Sequence, residues 1–196
     1  RAGVIDFLSR LVNPFFQHLF PGIPKNHPAM GSILMNFSAN ALGLDNAATP
    51  LGLKAMKELQ TLNDKPDTAT NAQIMFITLN ASSLTILPIS ILALRQQAGA
   101  AYPSDVFLPI LIATFFSTLT ALLLVSLYQK INLLNRTVLL YLGSLTAIVI
   151  GTLLYFTSLA PEEINVISKV FGNVMLFGIF VSFIFMAFIK GINAYD

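Results

Sequence analysis

Asn36 and Asn40 lie one helical turn apart, and Asn46 and Thr49 follow them around a single carboxylate, Asp45. No Lys, Arg, Asp or Glu occurs from residue 26 to residue 44, so these polar groups arrive inside an otherwise uncharged stretch. Farther on, Asn80 and Ser83 fall within one turn of each other in a second uncharged stretch, residues 68–94. Carboxamides and hydroxyls in such a setting both donate and accept hydrogen bonds. They suit the edge of a nucleobase or a ribose, or a cation held through carbonyl oxygens. They do not suit bond-breaking chemistry. The chain shows no nucleophile–base pair, no metal motif and no cofactor fingerprint, so neither an enzyme nor a cofactor is expected.

The elements that must position these residues read as membrane helices. Charged residues make up 10% of the chain and hydrophobic residues 55%. Residues 68–94, 106–129 and 137–161 carry no charge, and each reaches the roughly 20 residues that a hydrocarbon core of about 30 Å demands. Residues 170–189 form a fourth such run, between Lys169 and Lys190. The expected fold class is therefore all-α, a polytopic transmembrane helical bundle. Zero cysteines exclude disulfides and thiol chemistry, two histidines exclude a multi-His metal site, and the absence of a basic run argues against nucleic acid.

Residues 4–20 repeat apolar positions at helical spacing but include Asp6, Arg10 and His18, which predicts an amphipathic helix lying at the interface or the bundle edge, kinked at Pro14. Residues 28–44 are short for a span, so a re-entrant or broken helix is expected there. A break at residues 44–49 should end with Thr49 as N-cap and Pro50 as the first residue of the next helix. Residues 71–94 should span with a kink at Pro88. Small residues repeat every four positions at Ala113, Ser117 and Ala121 and again at Gly143, Ala147 and Gly151. The two stripes are expected to face each other, so that Gly151→Leu wedges their helices apart. By the positive-inside rule, Lys54, Lys57, Lys65, Lys130, Arg136 and Lys190 mark the cytoplasmic side.

Two readings of the polar cluster stand side by side. Discontinuous helices in transporters aim freed backbone groups at a solute near the membrane midplane. The same residue types also serve as interhelical glue, worth about 0.6 kcal/mol each. The first reading makes Asn36, Asn40, Asp45, Asn46, Thr49, Asn80 and Ser83 a solute site. The second makes the cluster a dry seam of a membrane scaffold that docks a partner.

The strings 26–31 (Asn-His-Pro-Ala-Met-Gly) and 43–52 (Gly-Leu-Asp-Asn-Ala-Ala-Thr-Pro-Leu-Gly), continued by Lys54, Ala55 and Met56, resemble the Gate, or nucleoside-recognition, family. The resemblance runs from about residue 20 to residue 128, and members often carry glycine where this chain has Asp45. It implies an integral, multi-pass protein of the bacterial inner membrane with a transporter-like core in residues 1–128. It further implies that residues 129–196 are two more spans, bridging to a second half or acting beside a sister subunit like spore maturation protein B. The opening on Arg1 fits an internal piece of a longer protein.

Overall fold

The fold, taken from a computed structural model, is described for residues 4–159 and for scattered helical positions between 163 and 189. Half of the fourth apolar run, 170–189, thus lies outside the described residues, as does the end of the 129–196 segment. Among the described residues there are seven α-helices, one short 3-10 turn and no strand.

The first helix, α1 (Val4–Leu19), buries Phe16 and Leu19 together with Phe20 just beyond it. It packs along α2 (Pro28–Ala41) rather than standing apart from the bundle. Pro28 opens α2 at a position where its missing N–H is no loss, and the Ala29 N–H donates to His27 Nδ1 at 3.3 Å. The turn role of His27 follows from that bond and from the 3.3 Å approach of its Nε2 to the Thr61 hydroxyl.

Gly43 ends α2. Its φ of +62° allows a paired closure in which Gly43 N–H donates to the Asn40 carbonyl and Leu44 N–H to the Ala39 carbonyl, each at 2.9 Å. The next helix, α3 (Asp45–Gln60), therefore begins five residues earlier than the Thr49-Pro50 pair suggests. Leu44 offers its carbonyl to the N–H groups of Ala47 and Ala48, and this starts the helix without any side-chain cap. Pro50 falls inside the helix, where it has no N–H to give the Asn46 carbonyl.

The expected kinked span is instead divided. α4 (Asn71–Ser82) starts on a capping box between Thr70 and Gln73 and stops at Ser83, whose φ of 32° is left-handed. Residues 83–88 are unwound, and α5 (Ile89–Gln97) resumes after Pro88. A 3-10 turn at Pro103–Val106 leads into α6 (Phe107–Gln129), and α7 (Arg136–Thr157) follows a short connection. Among the described residues, two helical stretches, Phe107–Gln129 and Arg136–Tyr155, are long and apolar enough to cross a membrane.

Polar contacts fix which ends meet. His27 reaches Thr61, Gln73 Nε2 donates to Gln60 Oε1 at 2.6 Å, and Gln129 Nε2 donates to the Asn71 carbonyl at 2.8 Å. The start of α2, the end of α3, the start of α4 and the end of α6 thus share one end of the bundle. α2 and α3 form a hairpin that leaves this end and returns to it. At about 1.5 Å per residue its 14- and 16-residue arms are roughly 21 and 24 Å long, short of a full hydrocarbon core. The Arg95–Asp105 pair, 2.7 Å apart, ties α5 to the 3-10 turn.

The main core gathers Phe16, Phe20, Ile33, Leu59, Met75 and Leu122 from α1, α2, α3, α4 and α6 and the turn after α1. A second cluster joins Leu84, Phe115 and Val149. It corrects the expectation for the small-residue stripes. Bulky Phe115, Leu119, Leu145 and Val149 occupy the side where α6 and α7 approach, so Ala113, Ser117, Gly143, Ala147 and Gly151 turn outward and are exposed. Nothing lies within 4 Å of where a Cβ would sit on Gly143 or Gly151.

Candidate functional site

The tip of the α2–α3 hairpin rests on the unwound segment 83–88. The Ala41 carbonyl accepts from both Ile86 N–H and Leu87 N–H at 2.9 Å, and the Ser90 hydroxyl donates to the Gly43 carbonyl at 2.7 Å. Contact is closest at Gly43, where a Cβ would stand 2.3 Å from the Leu87 carbonyl oxygen. Only glycine fits this crossing. The far side of the unwound segment is served by α6: the Thr85 N–H donates to Thr114 Oγ1 at 3.2 Å, and Thr118 Oγ1 donates to the Ser82 carbonyl at 3.3 Å. Two interrupted helices therefore satisfy each other's backbone, with two threonines completing the set.

Directly beside this crossing, α2, α3 and α4 enclose a cleft of about 380 Å³. Asn36 and Asn40 from α2, Thr49 and Gly52 from α3, and Phe76 and Asn80 from α4 line it. Asn36 Nδ2 donates to the Ala48 carbonyl at 2.8 Å, and Asn80 Nδ2 donates to the Phe76 carbonyl at 2.9 Å. Both side-chain oxygens then turn toward Asn40, whose Nδ2 donates to Asn80 Oδ1 at 2.9 Å and to Asn36 Oδ1 at 3.4 Å. The outer carboxamides are thus oriented by backbone acceptors, and that fixes the middle one. Asn40 spends both N–H bonds on its neighbours and keeps Oδ1 as an acceptor that no donor reaches among the described residues. Gly52 makes room for this arrangement, since a Cβ there would stand 3.0 Å from Asn36 Nδ2.

Of the residues singled out by sequence, Asn36, Asn40, Thr49 and Asn80 come together at the cleft. Asn36 is buried, Asn40 and Asn80 are half-buried, and Thr49 is exposed at the rim. Asn46 is exposed and outside the cleft, and Ser83 stands at the break rather than in the cleft wall. Asp45 opens α3, and its side chain lies outside the described residues. Gly43, Ser90, Thr114 and Thr118 were not singled out as site residues. Gly43 carries a local signal, a glycine just past an apolar helix. The others bond to backbone far away in sequence and have none.

A helical bundle in which two broken helices cross beside a carboxamide-lined cleft defines the class, and sequence comparison shows what the chain is similar to. The chain matches the Gate family, described as nucleoside recognition, over residues 1–97. It is also similar to spore maturation protein A of Bacillus subtilis (strain 168), with 41% identity over 124 residues. That alignment covers 63% of this chain and 63% of the relative, so the chain spans less than two thirds of the relative's length. No solved structure matches the chain.

Proposed function

We propose that the chain is part of a multi-pass protein of the bacterial cytoplasmic membrane, and that the α2–α3–α4 cleft binds a small uncharged polar solute on its way across. In this reading α6 and α7 are spans, and α2 and α3 form a re-entrant hairpin entering from the end that carries Lys57, Lys65, Lys130 and Arg136, the cytoplasmic end by the positive-inside rule. The observation that carries the proposal is the Asn36–Asn40–Asn80 chain along an open cleft. A glue role alone would consume its polar atoms in a filled seam. Here one acceptor, Asn40 Oδ1, meets no donor among the described residues, on a residue that lines the cleft.

The lining favours a nucleoside-like solute over an ion. No carboxylate or cation lines the cleft among the described residues. Carboxamide donors and acceptors match the edge of a base or the hydroxyls of a ribose, and the Phe76 ring offers an apolar face beside them. The Gate family's description supports the same class of ligand. The fused second half or sister subunit expected from the resemblance would act beside this chain, and no reaction is assigned to it.

Accessibility of the cleft tests the proposal on a chain that has no cysteine of its own. Thr49→Cys and Met56→Cys, both in the wall, should react with a membrane-impermeant thiol reagent, and a nucleoside should protect them. Ala39→Cys, fully buried on α2, should stay unreactive. If neither wall position reacts in folded protein, the cleft is a dry seam and the scaffold reading replaces the transport one.

A further inference from the structure

The three carboxamides of the cleft bring their hydrogen bonds to one junction. Asn36 Nδ2 and Asn80 Nδ2 donate to the Ala48 and Phe76 carbonyls, while Asn36 Oδ1 and Asn80 Oδ1 both accept from Asn40 Nδ2. Turning the Asn40 carboxamide over would set its oxygen against those two oxygens, so its direction is fixed. Asn40 Oδ1 is then an acceptor and nothing else. Among the described residues, the side-chain polar atoms sealed away without a partner are Glu58 Oε2 and Ser126 Oγ. Asn40 Oδ1 also meets no donor but is not sealed, and the opening that Asn40 lines is the cleft.

The neighbouring wall is apolar. Leu53, Met56 and Phe76 line the same cleft, and the Phe76 ring comes up beside Gly52, where a Cβ would stand 4.0 Å from Phe76 Cζ. A wall of this kind takes a flat ring, and a few placed polar atoms then decide its orientation. A ribose hydroxyl donates and accepts together and calls for partners of both kinds. A base N–H only donates, which matches an atom that only accepts.

We propose that Asn40 sets the specificity of the cleft: its Oδ1 accepts from an N–H on the edge of a nucleobase, and a base whose N–H is blocked is rejected. The inference rests on the solute reading given above and adds the direction of the deciding hydrogen bond. Asn80 is the positioning residue, because its 2.9 Å bond holds the Asn40 carboxamide more closely than the 3.4 Å bond from Asn36 does. Discrimination comes from the acceptor left unpaired when the donor is missing, a far larger loss than a misplaced methyl causes in an apolar pocket.

Thr49→Cys, at the exposed rim, reports occupancy in the membrane-embedded full chain through its reaction with an impermeant thiol reagent. Uridine should protect it, and 3-methyluridine, whose N3 carries no hydrogen, should need at least about tenfold more for equal protection. 5-Methyluridine has a methyl group but keeps its N3–H, and it should match uridine. 2′,3′-Dideoxyuridine, which lacks those sugar hydroxyls, should match it as well. Asn40→Leu should lower the ratio of 3-methyluridine to uridine to about one. Asn80→Ala should shrink that ratio, because the Asn40 carboxamide is then free to turn. Equal protection by uridine and 3-methyluridine with all three asparagines intact overturns the inference and leaves the solute reading standing. Failure of dideoxyuridine to protect puts the deciding donor on the sugar and overturns it too. A full ratio in folded Asn40→Leu means that shape excludes the methyl, with the same consequence. Protection by no nucleoside sinks the solute reading and the inference together. The comparison of analogues needs no change at the carboxamides, so it stays decisive even if Asn40→Leu fails to fold.

Discussion

The two interruptions of this bundle are built differently. The break after α2 is closed locally: Gly43 adopts a left-handed φ, two hydrogen bonds complete the turn, and α3 starts at once. The break after α4 is left open over residues 83–88, with a strained Ser83 at its start, and its backbone depends on Ala41, Thr114 and Thr118 from other helices. A self-sufficient turn can be carried as a rigid tip, while a dependent one is a socket. The comparison teaches which of the two is the insert and which is the seat.

Substitutions can break this comparison. The largest effect is expected at Gly43→Ala, where the left-handed φ and the 2.3 Å approach to the Leu87 carbonyl act together. Strain of about 1–3 kcal/mol and loss of the tip–seat bonds should appear as a marked fall in thermal unfolding temperature. Gly99→Ala is its control. That glycine is also left-handed, with a φ of +75°, but has open space around it, so only a cost of about 1 kcal/mol is expected. Equal losses at the two sites would mean that the crossing adds nothing.

Thr114→Val tests the seat from its far side. Removing the hydroxyl leaves the Thr85 N–H without its acceptor, and a loss of about 1–3 kcal/mol should show in denaturant or thermal unfolding. An unchanged midpoint would mean that residues 83–88 do not rely on α6. Ser83→Gly should have the smallest effect and the opposite sign, a gain of up to about 1 kcal/mol, because glycine adopts a φ of 32° without strain. A loss there would show that the serine side chain contributes more than its backbone strain takes away.

Much of the fold was legible in local residue choices. Pro28 after His27, the helical repeat of residues 4–20 and the long uncharged runs place α1, α2, α6 and α7 within a few residues. The short, polar character of residues 28–44 announced a helix shorter than a full span, and α2 is 14 residues long. Thr49-Pro50 misled because a favourable helix-start pair was outweighed by Gly43, which releases Leu44 early enough to begin α3 at Asp45. The second break was read as a kink because Pro88 is visible in sequence, whereas the acceptors and donors that hold the chain open at Ser83–Pro88 sit on α2 and α6. The stripe at Gly143, Ala147 and Gly151 misled for a related reason: small residues permit close approach without requiring it, and Phe115 and Val149 decided which faces met. At the cleft, residue types marked Asn36, Asn40 and Asn80, but the direction of each carboxamide comes from Ala48 and Phe76 carbonyls that only the fold brings near.

The seat lies far downstream of the tip. Ser90 comes 47 residues after Gly43, and Thr114 another 29 residues after Thr85. A ribosome adding about 5–20 residues per second delivers the hairpin several seconds before anything exists for it to rest on. During that interval the Ala41 carbonyl has neither of its later donors, Ile86 and Leu87. Until the second broken helix is made, the tip of the hairpin therefore has no seat within its own chain.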